Sequence, residues 1–199
     1  MSGIAAGHHR PVQREGGFGL FLRRWAANPL QMGSVVPSSR ALGRRIASLV
    51  ERKGDEVVVE LGAGTGAVTR ALLDGGVPPD RLVVVEIVPD MARHLARTLP
   101  GVTVIEGDAF ALPEALPEAL HQRVGTAICG IPLVLLPTEQ QKRFVEAVEA
   151  VAPGRGFLLY SYCVTSPLPH RRLGLTARRE AWTPLNLPPA SVWRYRPAA

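Results

Sequence analysis

Cysteine is scarce in this chain, and long apolar runs are missing from it. The two cysteines, Cys129 and Cys163, are too few for a disulfide framework and too isolated for a metal cluster. No stretch of about 18 consecutive apolar residues occurs, so the sequence predicts no membrane-spanning helix. The N-terminus also lacks the apolar core of a signal peptide. These absences favour a reducing cytosol, and the 199 residues suit one domain with a single sizeable core.

Charge is distributed unevenly along the chain, whose formal net charge is +6. Residues 1–53 carry a net +7, residues 54–164 a net −6 and residues 165–199 a net +5. A neutral-to-acidic centre between two basic ends favours an anionic partner, either nucleic acid or a lipid surface. The alternative is that the basic ends only aid solubility.

Strand-like and helical patterns alternate between residues 56 and 162. Apolar and β-branched runs predict strands at residues 56–61, 81–87, 102–108, 125–130 and 156–162. Helical patterns lie between them at residues 66–73, 89–99, 114–122 and 138–152. Residues 175–183 and 191–197 flank a proline-rich turn and predict an antiparallel pair at one edge. The chain is therefore predicted to form an α/β fold with a doubly wound, mostly parallel seven-stranded sheet.

The most informative motif follows the first predicted strand, where Glu60 precedes Gly62, Gly64 and Gly66. A dinucleotide fingerprint reads G-x-G-x-x-G, but Ala67 occupies the position of its third glycine. The phosphate-loop pattern G-x-x-x-x-G-K-[ST] does not occur in the sequence either. The loop therefore predicts close approach of a ligand to the backbone, at the carboxyl ends of the strands.

The pattern E-x-G-x-G-x-G at residues 60–66 resembles the first motif of class I S-adenosylmethionine-dependent methyltransferases. This resemblance implies a Rossmann-like fold and S-adenosylmethionine as the cofactor. Glu86 ends the second predicted strand, 20 residues after Gly66, where a carboxylate can bind both hydroxyls of a ribose. The resemblance also implies that Asp108 binds the adenine amine and that the Ala109 amide contacts the ring. The alternative is that the glycines only form a tight turn and the acids only cap helices.

The end of the fourth predicted strand is the predicted place of the methyl acceptor. Adenine-N6 methyltransferases carry [ND]-P-P-[YF] there, whereas this chain has CGIPL at residues 129–133. Stacking of a base on an aromatic side chain contributes roughly 1–3 kcal/mol, so a leucine in that place argues against a nucleobase. Backbone carbonyls are instead candidates to accept hydrogen bonds from an amine, and a tyrosine ends the fifth strand nearby. The candidate catalytic residues are Cys129, Gly130, Ile131 and Tyr160. The alternative for residues 131–136 is simple core packing.

The N-terminal region, residues 1–53, is predicted to be a basic amphipathic unit in front of a cofactor-binding domain at residues 54–199. Phe18, Phe21, Leu22 and Trp25 fall on one helical face, as in helices that lie in the headgroup layer of a membrane. The alternative is a helix that caps the sheet and closes the cofactor site. Both arrangements are compatible with a lid that responds to lipid.

The order of motifs along residues 20–196 resembles that of the bacterial phospholipid N-methyltransferases, relatives of the rRNA adenine dimethylases. The discriminating stretches are GSVVPSSR at residues 33–40, GIPL at 130–133 and NLPPA at 186–190. The resemblance implies methylation of phosphatidylethanolamine toward phosphatidylcholine at a membrane surface, on the inner face of the cytoplasmic membrane, with no stable nucleic-acid partner. The alternatives are an adenine-N6 methyltransferase of rRNA or other nucleic acid, and a non-enzymatic lipid-binding or cofactor-sensing protein.

The resemblance also implies a set of binding residues. The implied cofactor site consists of Ser38, Ser39, Glu60, Gly62, Gly64, Gly66, Glu86, Ile87, Asp108 and Ala109. A phosphodiester must be held as well, and arginine matches its oxygens because the guanidinium is a planar fork. The candidates for the phosphate are Arg40, His170, Arg171 and Arg172, together with Arg178 and Arg179.

Overall fold

The computed structural model describes residues 40–163, 165–184 and 188–198. The strands are β1 (Val57–Leu61), β2 (Leu82–Glu86), β3 (Thr103–Glu106), β4 (Val124–Cys129), β5 (Phe157–Ser161), β6 (Leu175–Thr183) and β7 (Ala190–Pro197). The helices are α1 (Arg40–Ala47), α2 (Ala67–Asp74), α3 (Pro89–Thr98), α4 (Leu112–Ala115) and α5 (Thr138–Val151). Short 3₁₀ turns include Ala109–Ala111, Glu118–Leu120, Leu133–Leu135 and His170–Leu173.

The strands form one seven-stranded sheet in the order β3-β2-β1-β4-β5-β7-β6. Strands β1 to β5 are parallel to their neighbours, and β7 is antiparallel to both β5 and β6. The strand order reverses between β1 and β4, and ligands of open α/β sheets bind at such a reversal. We call the edge formed by the carboxyl ends of β1 to β5 the carboxyl edge, and the opposite one the amino edge.

Both faces of the sheet are covered, which explains why the central strands are nearly continuous apolar runs. All five residues of β1 are buried, and their side chains alternate between two core clusters. Val59 and Leu61 face α4 and α5, where Phe144 contacts Phe157 edge to face at 5.3 Å. Val58 faces α1 and α2. The glycine loop after β1 therefore emerges from the most constrained part of the core.

Helix α1 runs alongside α2, and small residues allow the two helices to lie close together. A Cβ on Gly43 would stand 2.4 Å from that of Ala71, and one on Gly75 would stand 2.6 Å from that of Ala47. These contacts align the start of α1 with the start of α2, which follows the glycine loop. The first residue of α1, Arg40, consequently lies toward the carboxyl edge.

The C-terminal strands extend the sheet as an antiparallel pair. Since β7 is antiparallel to both neighbours, β6 is parallel to β5 and ends at the carboxyl edge. Arg194, whose side chain is 8% exposed, donates to Glu180 on β6 at 2.9 Å and to the Leu49 carbonyl at 2.8 Å. These bonds join the pair to the segment between α1 and β1.

The predicted α/β fold is confirmed, including the antiparallel pair, in which β7 lies between β5 and β6. The predicted helix at residues 114–122 is wrong. Helix α4 ends at Ala115, and Leu116 is extended with φ −82° and ψ 131°. It precedes Pro117, and a residue before proline is disfavoured in the α region. A separate 3₁₀ turn, Glu118–Leu120, follows.

Within the described residues, no helix is long and apolar enough to cross a bilayer. The longest of them, α5, has 14 residues and spans about 21 Å, short of a hydrocarbon layer of about 30 Å. The predicted amphipathic segment with Phe18 and Trp25, and the predicted cofactor residues Ser38 and Ser39, lie outside the described residues. Residues 40–53 of the predicted N-terminal unit include α1, which packs on the domain core.

Candidate active site

The three glycines after β1 have left-handed backbones, with φ of 77°, 55° and 77° at Gly62, Gly64 and Gly66. Two of them are needed for packing. A Cβ on Gly62 would stand 2.8 Å from Ile131, and one on Gly66 would stand 2.6 Å from Leu95. A Cβ on Gly64 would meet no atom within 4 Å. The middle glycine therefore faces open space, as expected where a ligand passes close to the backbone.

Glu86 ends β2 and fixes the shape of this loop. Its Oε2 accepts a hydrogen bond from the Gly64 amide at 2.8 Å, and its Oε1 accepts one from the Val88 amide at 3.0 Å. A carboxylate has about four acceptor positions, so two remain for the hydroxyls of a ribose. The predicted ribose residue is thus held in place by the same loop that the ligand would cross.

Asp108 lies beside Glu86 at the carboxyl edge. Glu86 and Glu106 are paired across β2 and β3, and the Gly107 amide donates to the Glu86 carbonyl at 3.1 Å. One Asp108 oxygen accepts from the Phe110 amide at 2.9 Å, and the other has no hydrogen-bond partner among the described residues. Ile87, partly buried, packs against the adjacent core cluster. Ala109 is buried, so its contribution to a ligand is limited to its backbone.

Glu60 is fully buried beneath the glycine loop, and its carboxyl oxygens have no hydrogen-bond partner among the described residues. Burial raises the pKa of Glu60 to about 7, the Thr69 side chain lowers it, and the Glu86 charge raises it further. The Thr69 hydroxyl lies near enough to favour the ionised form but makes no hydrogen bond of normal geometry. A buried, unpaired carboxyl next to Glu86 suits the positively charged end of a ligand better than an anion.

The end of β4 converges on the glycine loop. The Gly130 amide donates to the Leu61 carbonyl at 2.8 Å. A Cβ on Gly130 would stand 2.4 Å from the Gly62 carbonyl oxygen and 2.8 Å from the Tyr160 hydroxyl. No described residue donates a hydrogen bond to the Gly130 carbonyl, which is therefore available to an amine. The structure thus brings Gly130 and Tyr160 together, as the sequence predicts.

The side chains of Cys129 and Ile131, the two neighbours of Gly130, pack in the protein core. The Cys129 side chain is fully buried, and burial raises the pKa of its thiol well above the usual value. Its Sγ lies 3.6 Å from the Ile131 carbonyl oxygen. The Ile131 side chain is 7% exposed and packs on Gly62. Only the backbone of these two predicted catalytic residues is placed to contact an acceptor.

The structure places the predicted phosphate residues at different edges of the sheet, and their role in holding a phosphate stays a prediction. His170, Arg171 and Arg172 precede β6, whose first residue, Leu175, pairs with Pro197. That position lies beyond the start of β5, at the amino edge. A five-residue strand spans about 17 Å, so this turn is remote from Gly64. Arg40 remains near the carboxyl edge on the opposite face of the sheet.

The other two phosphate candidates lie on the edge strand β6. Arg178 is occupied by Glu180, to which it donates at 2.7 Å and 3.0 Å. Arg179 is exposed and stands in register with Trp193 of β7.

Sequence reasoning missed Gln141, which supports the end of β4. Its side-chain amide is buried and donates to the carbonyls of Leu133 and Leu136 at 3.0 Å and 2.9 Å. The signal was available, because Gln141 falls on the same helical stripe as Phe144 and Val148. A polar residue on an apolar stripe indicates a side chain that is buried and makes hydrogen bonds within the core.

Comparisons with known proteins agree with this geometry. Residues 58–154 match the family model described as "Methyltransferase domain". An ornithine lipid N-methyltransferase of Singulisphaera acidiphila is 30% identical over 88% of this chain and 94% of its own length. The ribosomal RNA small subunit methyltransferase A of Rhodococcus erythropolis is 37% identical, but over only 37% of this chain and 27% of its own length.

Solved structures show the same fold at low identity. The 1,6-didemethyltoxoflavin-N1-methyltransferase of Burkholderia thailandensis, with bound S-adenosylhomocysteine, aligns with a TM-score of 0.63 at 17% identity. That alignment covers 98% of this chain and 94% of the other. The 23S rRNA methyltransferase ErmE aligns with a TM-score of 0.55 at 20% identity, over 81% of this chain and 69% of its own.

We expect Gly64→Ala to weaken binding of S-adenosylhomocysteine at least tenfold, because the new methyl group occupies the space in which a ligand crosses the loop. Gly54→Ala is a matched control, since Gly54 has φ 53° and a Cβ there also meets no atom within 4 Å. Both substitutions strain a left-handed backbone by about 1 kcal/mol. Calorimetric titration should separate them. Equal affinities in the two variants would contradict the assignment of Gly64.

We expect Glu60 to make the ligand-free protein less stable as the pH rises. Its pKa is about 7 in the folded state against 4.5 for the ordinary carboxyl, so the folded state binds more protons between these values. The free energy of unfolding therefore falls by roughly 2–3 kcal/mol from pH 5 to pH 8 on account of this group. Glu60→Gln should remove that part of the fall, whereas Glu118→Gln, at an exposed position, should not. Denaturant unfolding at pH 5 and pH 8 measures the free energy of unfolding of each protein. An equal fall in wild type, Glu60→Gln and Glu118→Gln would contradict the prediction.

Proposed function

The chain belongs to the bacterial lipid N-methyltransferases, a family of class I S-adenosylmethionine-dependent methyltransferases, and from that premise we propose that it methylates the amine of a membrane lipid. The methyl donor is S-adenosylmethionine, consistent with the methyltransferase family match. When bound, the donor supplies an electrophilic methyl group on a positively charged sulfur. Glu86 is suited to bind the ribose of the cofactor, and the open face of Gly64 lets the cofactor pass close to the backbone. The free oxygen of Asp108 is suited to accept a hydrogen bond from the adenine amine.

The arrangement at the end of β4 carries the proposal. An amine can donate to the Gly130 carbonyl, and the Tyr160 hydroxyl lies beside Gly130, 2.8 Å from the position that a Cβ would take there. An adenine acceptor would need an aromatic plane, and the position that supplies one in adenine methyltransferases is Leu133, which is fully buried. The chemistry of this edge therefore favours an alkylamine over a base.

The residues of this edge have two tasks in amine methylation. The amine must present its lone pair in line with the methyl group, and an accepting carbonyl at Gly130 fixes the direction of its N–H bonds. A buried setting favours the neutral amine over the ammonium ion, because desolvation penalises the charged form. Tyr160 helps to position the nitrogen or shields the charge that develops on it.

The headgroup is the finer part of the proposal. Phosphatidylethanolamine is the substrate that the sequence resemblance implies, and it requires a holder for its phosphodiester. Because His170–Arg172 are separated from Arg40, these candidates do not combine into one binding site for that phosphodiester. The relative from Singulisphaera acidiphila is named for ornithine lipid, and ornithine is an amino acid with an amine in its side chain. We therefore propose an amine-bearing lipid as the substrate class, with these two lipids as the candidates.

The alternative substrate is adenine in rRNA. The rRNA methyltransferases that match this chain do so over about 36–45% of it and about a quarter to a third of their own length. Such partial matches fit the shared cofactor-binding region, whereas the ornithine lipid relative matches nearly end to end. The lipid candidate is favoured for that reason.

A membrane surface is the proposed place of action. A lipid amine stays at headgroup depth, so the carboxyl edge has to approach the bilayer, and we propose peripheral association with the cytoplasmic face of the membrane. The net charge of +6 favours anionic lipid. Binding to anionic vesicles should weaken as salt is raised.

The substrate test is transfer of a labelled methyl group to ornithine lipid vesicles, phosphatidylethanolamine vesicles and bulk rRNA in parallel. We expect label in one or both lipids, and thin-layer separation then gives the number of methyl groups added. Label found only in RNA would reverse the proposal. Cofactor binding without transfer to any acceptor would favour the lipid-binding or cofactor-sensing alternative.

We expect Tyr160→Phe to lower kcat roughly tenfold or more, with little change in S-adenosylhomocysteine affinity, because the lost hydroxyl lies beside Gly130, the predicted acceptor position. Tyr195→Phe is the matched control, since its hydroxyl bonds to Ser166 in the core at 2.9 Å. Steady-state rates on the accepted lipid check this. Unchanged turnover in Tyr160→Phe would remove the hydroxyl from the mechanism.

A further inference from the structure

The turn that follows Gly130 holds two apolar side chains in solvent. Leu133 and Leu136 are 0% and 7% exposed, and they anchor the two ends of the turn in the core. Between them, Val134 is 42% exposed and Leu135 is 55% exposed. Large apolar side chains in such positions are usually buried, so a pair presented next to an acceptor site calls for a physical reason.

The exposure of this pair is fixed by hydrogen bonds. The Leu135 amide donates to the Pro132 carbonyl at 3.0 Å, and the Leu136 amide donates to the Leu133 carbonyl at 3.0 Å. Gln141, itself buried, ties the carbonyls of Leu133 and Leu136 to α5. With its ends and its backbone held, the turn cannot rotate its two apolar side chains into the core.

Trp182 supplies a third exposed apolar side chain at the same edge. It is 57% exposed and lies one residue before the end of β6, which runs parallel to β5. Trp182 pairs with Ser191, and Ser191 pairs with Ser161, the last residue of β5. Three strand spacings separate β6 from β4, about 14 Å. Tryptophan is enriched where one end of a side chain is apolar and the other is wet.

Val134, Leu135 and Trp182 are the large apolar residues that stand exposed in the described part of the chain, and all three lie at the carboxyl edge. We call them the apolar rim. We propose that the apolar rim inserts into the headgroup layer of a lipid bilayer and sets the depth at which a lipid amine meets Gly130. This inference rests on the proposed lipid substrate.

Charge at the same edge is compatible with an anionic bilayer. Lys142 and Arg143 are exposed on the second turn of α5, directly after the rim turn, with Glu139 as the acidic residue of the first turn. Lys142 Nζ also lies 3.8 Å from Glu146 Oε1, in an exposed ion pair of the kind that contributes little and is screened by salt. Arg40 is exposed at the start of α1. Apolar side chains flanked by cations are typical of surfaces that lie in the membrane interface, where cations contact lipid phosphates while apolar groups enter about 5–10 Å.

The test uses the full chain and vesicles of phosphatidylglycerol that contain phosphatidylethanolamine or ornithine lipid. Leu135→Asp and Trp182→Ala are compared with wild type and with Ala119→Asp, an exposed position in the 3₁₀ turn before β4, at the amino edge. The readouts are vesicle cosedimentation, methyl transfer to aminolipid in vesicles, transfer to a short-chain analogue below its critical micelle concentration, and elution volume on gel filtration. Thermal melting confirms that each variant is folded.

We expect Leu135→Asp to bind vesicles roughly tenfold more weakly or worse, because burial of a leucine is lost and a charge is introduced. Trp182→Ala should also weaken vesicle binding, but by a smaller factor. Transfer to the soluble analogue should remain within about twofold of wild type in both, and Ala119→Asp should match wild type in every assay.

Vesicle binding by Leu135→Asp equal to that of wild type would overturn the proposal. So would a change in elution volume at unchanged vesicle affinity, which would show that the rim contacts a second copy of the chain. If the rim variants lose vesicle binding but wild type methylates no lipid, the membrane surface stands and the lipid substrate fails. If lipid is methylated and the rim variants are unaffected, the substrate stands and the rim assignment fails.

Discussion

The carboxylate of Glu86 connects the ends of β1 and β2 through the backbone amides of Gly64 and Val88. Such charge-assisted bonds are stronger than bonds between neutral groups, and they hold the loop open at the point where Gly64 has no side chain. The shape of the glycine loop and the position of the carboxylate proposed to bind a ribose are thus set by one side chain. The remaining functional groups take their places relative to it, because the parallel register aligns Leu61 with Val85 and Cys129, and Glu86 with Glu106, so that these strands end together.

The two edges of the sheet have different characters. The carboxyl edge gathers Glu60, Glu86 and Asp108 near the cofactor loop and places Gly130 and Tyr160 beside it. Among the described residues, ion pairs that join distant segments include Arg155 with Glu56, toward the amino edge, and Arg194 with Glu180, on the C-terminal pair. These two pairs lie away from the groups that are proposed to bind ligands.

The sequence predicted the parts of the site that follow directly from strand ends. Apolar runs located β1, β2 and β4, and the residue after each run fell at the carboxyl edge because parallel strands end together. The positions of the phosphate candidates could not be predicted for a topological reason. Strand β7 inserts beside β5, so β6 begins at the amino edge and His170 precedes it there. The raised pKa of Glu60 also lay beyond sequence reasoning, since it depends on burial under α2 beside Thr69.

A crystal structure of the chain with S-adenosylhomocysteine tests the central assignment most directly. The account predicts both ribose hydroxyls within hydrogen-bonding distance of the Glu86 carboxylate, with the chain of the ligand crossing Gly64 toward Gly130. A ligand bound elsewhere, or a ribose held by a different side chain while Glu86 keeps only its two backbone amides, would contradict it.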